Sequence, residues 1–174
     1  INMKVAIATD HNGVNIKKEI IKYLNNQNIE TIDLSEHNSA VDDYPLYAFE
    51  VGKAVSSKEA DYGILLCGTG IGMSIAANKG KGIRCAHVTS NTEAMLARAH
   101  NNANIIALGA NNHQVNDLIK WLDLFLTTDF KKFCFNLLYT QERKGIYMLE
   151  KLEKYQIIIL AVVLAFGLIR STKI

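Results

Sequence analysis

The sequence predicts an α/β protein: a single doubly wound, parallel, five-stranded sheet in the order 2-1-3-4-5, with helices on both faces. Three observations carry this. Short apolar runs alternate with longer segments whose apolar residues recur at helical spacing, the βαβα rhythm of right-handed crossovers. The third run, "YGILL", is continuously apolar, as a strand covered on both faces must be. The second, "IETIDL", alternates apolar and polar residues and so belongs at an edge.

The elements follow in order. "KVAIAT" is the first strand. Asp10 or Asn12 is placed to cap a helix whose Ile16, Ile20 and Leu24 repeat every fourth residue. After "IETIDL", residues Ser35 to Asp43 read as a polar loop. Pro45, the single proline, suits the first turn of a helix turning Ala48, Val51, Gly52 and Val55 inward. "YGILL" leads through a glycine-rich turn into a third helix, and "GIRCAHV" is the fourth strand. Ser90 and Glu93 have capping-box spacing for a helix ending near His100. "NIIAL" is the fifth strand, and Val115, Leu118, Ile119, Leu122, Phe125 and Leu126 form one face of a fifth helix. The α/β domain is expected to span residues 1–129. Residues 130–174 form a C-terminal tail in which "YMLEKLEKY" reads as helical.

Composition narrows the function. The chain has 174 residues, 49% of them hydrophobic and 21% charged, enough for one domain with a substantial core. Its net charge of +2 comes from mixed signs with no basic patch interleaved with aromatics, so nucleic acid is not an expected partner. Three unpaired cysteines, Cys67, Cys85 and Cys134, fit a reducing, cytoplasmic setting. The apolar run Ile157 to Ile169 has 13 residues, short of the roughly 20 a membrane helix needs, so a membrane is not an expected partner either.

The switch point of such a sheet lies between strands one and three, where ligands bind in this architecture. Two loops meet there, "TDHNG" and "CGTGIG". The second is neither a dinucleotide fingerprint nor a P-loop, because the required glycine and lysine positions are filled otherwise. What remains is a loop of small residues with free N–H groups at a helix start, suited to an anion or a developing oxyanion. Cys67 stands at its mouth, where a thiolate is favoured. A cysteine at a strand end is equally an ordinary buried residue. His37, His87 and His113 have no ligand-like spacing and read as structural or surface residues.

The set "DHNG", "DDYP", "CGTGIGMSIAANK", "GIR" and "ARAHNNAN" resembles ribose-5-phosphate isomerase B and its sugar-phosphate isomerase relatives, from Met3 to Ala110. The resemblance implies an aldose–ketose isomerase that works through an enediolate and uses no metal or organic cofactor. By matching position, Cys67 is the general base, Thr69 assists it, and His100 opens the sugar ring with Asn101 beside it. Gly68, Gly70, Ile71 and Gly72 supply the amides for the enediolate oxygen. Asp10 and His11 hold the sugar and its phosphate, and Tyr44 lines the pocket. His100 is expected far from Cys67 within one subunit, at the opposite edge of the sheet. The resemblance therefore implies a homodimer or tetramer with sites shared between subunits.

Two departures stand out. The family's arginine after the fifth strand is Asn111 here, and no C-terminal "GGRH" is present. Arg143 is the expected substitute in gripping the phosphate. Two other readings stay open: an isomerase of a six-carbon sugar phosphate such as galactose 6-phosphate, which the resemblance also implies, and an inactive sugar-phosphate-binding homologue, which these departures motivate.

Overall fold

A computed structural model describes residues 3–37 and 43–131. The order is β1 (Lys4–Thr9), α1 (Val14–Asn26), β2 (Glu30–Asp33), α2 (Tyr44–Ser56), β3 (Tyr62–Cys67), α3 (Ile71–Ala77), β4 (Cys85–His87), α4 (Asn91–Ala99), β5 (Ile105–Gly109) and α5 (Val115–Thr127). Every strand pairing is parallel. The fold class is the expected one.

The strand order is β2-β1-β3-β5-β4, so the expected order of the last two strands is reversed. The reason is burial. All five residues of β5 are buried, whereas β4 is three residues long and only its first is buried. The run "IIALG" belongs between neighbours, and the short strand flanked by Arg84 takes the edge.

This reversal decides which face each helix covers. With right-handed crossovers, the direction of the step from strand to strand sets the face. The steps β1→β2 and β4→β5 run one way across the sheet, while β2→β3 and β3→β4 run the other. Hence α1 and α4 share a face with α5, and α2 and α3 share the opposite one. Each face has its own core. Ile20, Leu24, Ala94, Leu118 and Phe125 cover one side; Ala48, Val51, Met73 and Ala77 cover the other. Each fully buried side chain of the size of Leu118 or Phe125 contributes about 1.5–3 kcal/mol.

Local chemistry explains most helix starts. Ser90 caps α4, its Oγ accepting the Glu93 N–H at 3.2 Å, and the Glu93 carboxylate accepts the Thr89 N–H. Pro45 occupies the first turn of α2. Neither Asp10 nor Asn12 caps α1. Gly13 holds that position, and the two side chains bond to each other instead.

Among the described residues no helix is long and apolar enough to cross a membrane. The expected tail helix, the run Ile157 to Ile169, Arg143 and Cys134 lie outside the described residues.

Candidate active site

The glycine turn begins where β3 ends. Cys67 is buried at 6% exposure and pairs in register with Gly109 of β5. The chain then reverses direction sharply. Gly70 adopts φ +81°, a left-handed conformation that suits glycine. Its N–H donates to Cys67 Sγ at 3.1 Å. Thr69 is exposed, and its Oγ1 accepts the N–H of Ile71 at 3.3 Å as α3 starts. Gly72 permits a close approach, since a Cβ there would lie 2.8 Å from the ring of Tyr44. Tyr44, the first residue of α2, thus leans on the turn from the side.

The loop after β1 flanks the same turn. The Asp10 N–H donates to Leu66 O, and the buried Asp10 carboxylate accepts from the Asn12 N–H at 2.9 Å and from Asn12 Nδ2 at 3.1 Å. His11 is exposed beside them. A buried polar network braces this loop from below. Lys17 of α1 is 3% exposed, and its Nζ donates to Asp33 Oδ1 at 2.9 Å and to the Ser35 carbonyl at 2.6 Å. Ser35 Oγ in turn accepts the Thr9 N–H at 2.9 Å. A buried ammonium is tolerated only when paired and hydrogen-bonded, and all these contacts meet that need.

On the other flank, Asn111 follows β5. Its N–H donates to Gly68 O at 3.0 Å, and its side chain lies against Gly68. Cys67, Thr69, Gly68, Gly70, Ile71, Gly72, Asp10, His11 and Tyr44 therefore come together at the C-terminal ends of β1 and β3.

His100 and Asn101 do not join them. They lie in the turn between α4 and β5, at the N-terminal ends of the strands, and both are exposed. β3 alone has six residues, which at about 3.3 Å per residue separates its two ends by roughly 16 Å. Because β5 lies beside β3 and not at an edge, this separation runs along the strands; the expectation of opposite sheet edges is corrected accordingly.

The His100 turn is held by arginines. Arg98 is buried, and its guanidinium donates to Asn102 Oδ1 at 2.9 Å, Ala103 O at 2.7 Å and Tyr62 Oη at 2.9 Å. It also lies over the Tyr62 ring at 4.8 Å. Arg84 Nε donates to Asn102 O at 2.8 Å. Asn102 has φ +47°, and these bonds fix it there. The motifs "GIR" and "ARAHNNAN" are thus two halves of one clamp.

Sequence reasoning missed Lys17, Arg84, Arg98 and the placement of Asn111 and His87. Lys17 and Arg98 left a signal: each is a charge on the apolar stripe of its helix, next to Ile16 and Ile20 or between Ala97 and Ala99. His87 left none; its Nε2 meets Thr69 O at 2.9 Å across β5. Cys85 is a second buried thiol, and burial pushes it up to about 12, so it stays protonated.

The chain is similar to a group of known proteins. Residues 5–134 match the family model described as Ribose/Galactose Isomerase. A Bacillus subtilis protein provisionally named a sugar phosphate isomerase is 48% identical over 129 residues, covering 74% of this chain and 87% of its own. Ribose-5-phosphate isomerase B of Escherichia coli is 45% identical over 107 residues, covering 62% of this chain and 72% of its own. The crystal structure of ribose-5-phosphate isomerase B from Mycoplasma genitalium with bound ribulose-5-phosphate matches with a TM-score of 0.73 and 37% identity, covering 87% of this chain and 98% of that one. On the matched family model, the identities and the shared fold, the chain belongs to the ribose/galactose isomerase family and, with it, to the aldose–ketose isomerases.

Proposed function

We propose that the chain interconverts ribose 5-phosphate and ribulose 5-phosphate through an enediolate, with Cys67 as the base. The observation that carries this reading is the Gly70 N–H directed at Cys67 Sγ at 3.1 Å, within a turn of further backbone amides. Abstracting a proton beside a carbonyl needs a base and donors aimed at the oxygen that becomes negative. Cys67 takes the proton from C2 of the open-chain aldose and returns it at C1. The amides of Gly68 and Gly72 bind the oxygen that gains charge, since the Gly70 N–H meets Cys67 Sγ and the Ile71 N–H meets Thr69 Oγ1, and the Thr69 hydroxyl helps move the hydroxyl proton. C1 is reduced as C2 is oxidised, so the step is balanced within the substrate. Asp10 and His11 hold the sugar and its phosphate, and Tyr44 walls the pocket over Gly72. Arg143, outside the described residues, supplies a cation to the phosphate in place of the arginine that Asn111 replaces. The relative from Mycoplasma genitalium, solved with ribulose-5-phosphate, supports the choice of sugar.

Ring opening by His100 requires a second copy of the chain. His100 and Asn101 sit at the far end of the strands from Cys67, exposed, on a turn clamped by Arg84 and Arg98. Apolar side chains stand exposed beside each region: Ile71 and Ile75 on α3 at 51% and 59%, and Met95 and Leu96 on α4 at 38% and 41%. A two-fold dimer that sets one copy's α4 end against its partner's glycine turn covers both patches and completes two identical sites.

The family's description names galactose as well as ribose, which favours a six-carbon sugar phosphate as the second reading. The test is turnover of ribose 5-phosphate and of galactose 6-phosphate by the purified full chain, read as ketose formed. Preferential turnover of ribose 5-phosphate is expected. Preference for galactose 6-phosphate would overturn the choice of sugar, and binding without turnover of either would reduce the chain to a binding protein.

A further inference from the structure

His87 ends β4, an edge strand, and reaches across β5 to the glycine turn. Its Nε2 lies 2.9 Å from the carbonyl oxygen of Thr69. A carbonyl oxygen only accepts, so Nε2 carries the proton and donates. The imidazole also rests on the next residue, since a Cβ on Gly70 would stand 2.8 Å from its Cδ2. The Thr69 carbonyl and the Gly70 N–H belong to one planar peptide unit, and in a trans unit they point in opposite directions. One end of that unit therefore meets His87, and the other meets Cys67 Sγ at 3.1 Å.

We infer that His87 is a positioning residue for the Cys67 turn, fixing through the Thr69–Gly70 peptide the N–H that the Cys67 sulfur accepts. This rests on the reading of Cys67 as the base. Holding the carbonyl stops the peptide from rotating, and a donor on the carbonyl polarises the N–H at the other end of the unit. An N–H bond to an ionised acceptor is roughly twice as strong as one to a neutral acceptor, so a fixed peptide favours thiolate over thiol. The same bond gives little to bound sugar. Its loss is therefore expected in turnover and in thiol reactivity, with substrate affinity nearly unchanged.

The charged group facing His87 is Glu93 of α4. The Thr89 N–H is the main cause that holds the Glu93 carboxyl below its usual range, with His87 adding a weaker attraction. Of the elements packed around the ring, α3 and β5 contain no charged residue. Asp10 and His11 follow β1, on the far side of the turn, and Asn111 after β5 is neutral.

The test compares His87→Val, which keeps a strand-forming residue but no donor, with His87→Gln, which restores an amide donor. His87 is half-buried at the end of an edge strand, so both variants should fold, as circular dichroism and thermal unfolding verify. Modification of Cys67 by iodoacetamide is followed across pH and resolved by peptide mass spectrometry, which separates it from Cys85 and Cys134. His87→Val is expected to slow Cys67 modification at pH 7 by roughly 3- to 10-fold, the size of one hydrogen bond. It should also move the acid limb of kcat to higher pH, leaving KM for ribose 5-phosphate within about twofold. His87→Gln should recover most of each loss. A folded His87→Val chain with the parent's modification profile would overturn the inference, and so would His87→Gln behaving like His87→Val. Retained turnover in Cys67→Ala would instead sink the base assignment; the modification profile separates the two failures, because it needs no turnover.

Discussion

The two turns that carry the family's motifs are built on opposite principles. The Cys67 turn, at the C-terminal ends of the strands, has glycine at every second position, Gly68, Gly70 and Gly72. Its shape comes from Gly70 at φ +81° and from neighbours, Tyr44, Asn111 and His87, that press on it. The His100 turn, at the N-terminal ends, is gripped by two guanidinium groups that bond to Asn102 and Ala103. Under the proposed function the difference follows from the chemistry of each turn. A turn proposed to receive an oxyanion must keep bulk away from its amides. A turn that offers a histidine to another molecule has only to stay rigid, and arginines can fill the space behind it.

The first way to break this comparison is at the thiol. Cys67→Ala should cost about 10²–10⁴-fold in turnover of ribose 5-phosphate, the range for a lost general base, while binding measured by calorimetry is kept. Turnover within a few-fold of the parent would remove Cys67 from the chemistry. Cys85→Ala is the internal control, because that thiol is protonated at working pH.

The second lies in the clamp. Arg98→Ala strands the buried Ala103 carbonyl and removes the partner of the part-buried Tyr62 hydroxyl, and should cost about 2–3 kcal/mol of stability in urea unfolding. It should lower turnover through His100 and leave Cys67 modification by iodoacetamide at the parent's rate. Equal effects on both turns would mean that they are not independently supported.

The smallest effect sharpens the comparison at Asn111, which is exposed beside Gly68. Asn111→Arg restores a cation at the rim without adding bulk inside the turn. A charge-assisted hydrogen bond to phosphate contributes up to about 1.5–3 kcal/mol, and exposure reduces it, so KM should fall about 3- to 10-fold with kcat little changed. An unchanged KM would put the phosphate elsewhere.

Much of this was legible in the sequence because it is local. Apolar runs and helical spacing marked most of the elements, the glycine turn marked the start of α3, and the Ser90 and Glu93 spacing marked the start of α4. The order of β4 and β5 was misread because sheet order is decided by long-range burial. The clue was the same contrast used for β2: Arg84 and His87 flank a short run at β4, whereas "IIALG" is wholly apolar. The catalytic candidates were visible through their motifs. The partners of their supports were not, because Lys17, itself marked as a charge on an apolar stripe, meets Ser35 across 18 positions of chain, and His87 meets Thr69 by reaching over a strand between them. Spacing along the chain carries no trace of such contacts.

The central claim is that each site takes Cys67 from one chain and His100 from another. Mixing Cys67→Ala and His100→Ala chains tests it directly, with native mass spectrometry following formation of mixed dimers. Each parent variant should be nearly inactive alone. In a mixed dimer one site pairs an intact Cys67 with an intact His100, so an equal, fully exchanged mixture should regain about a quarter of the parent's activity, half the dimers carrying one working site of two. Mixed dimers that form and stay inactive, while each chain still binds ribose 5-phosphate, would contradict a shared site.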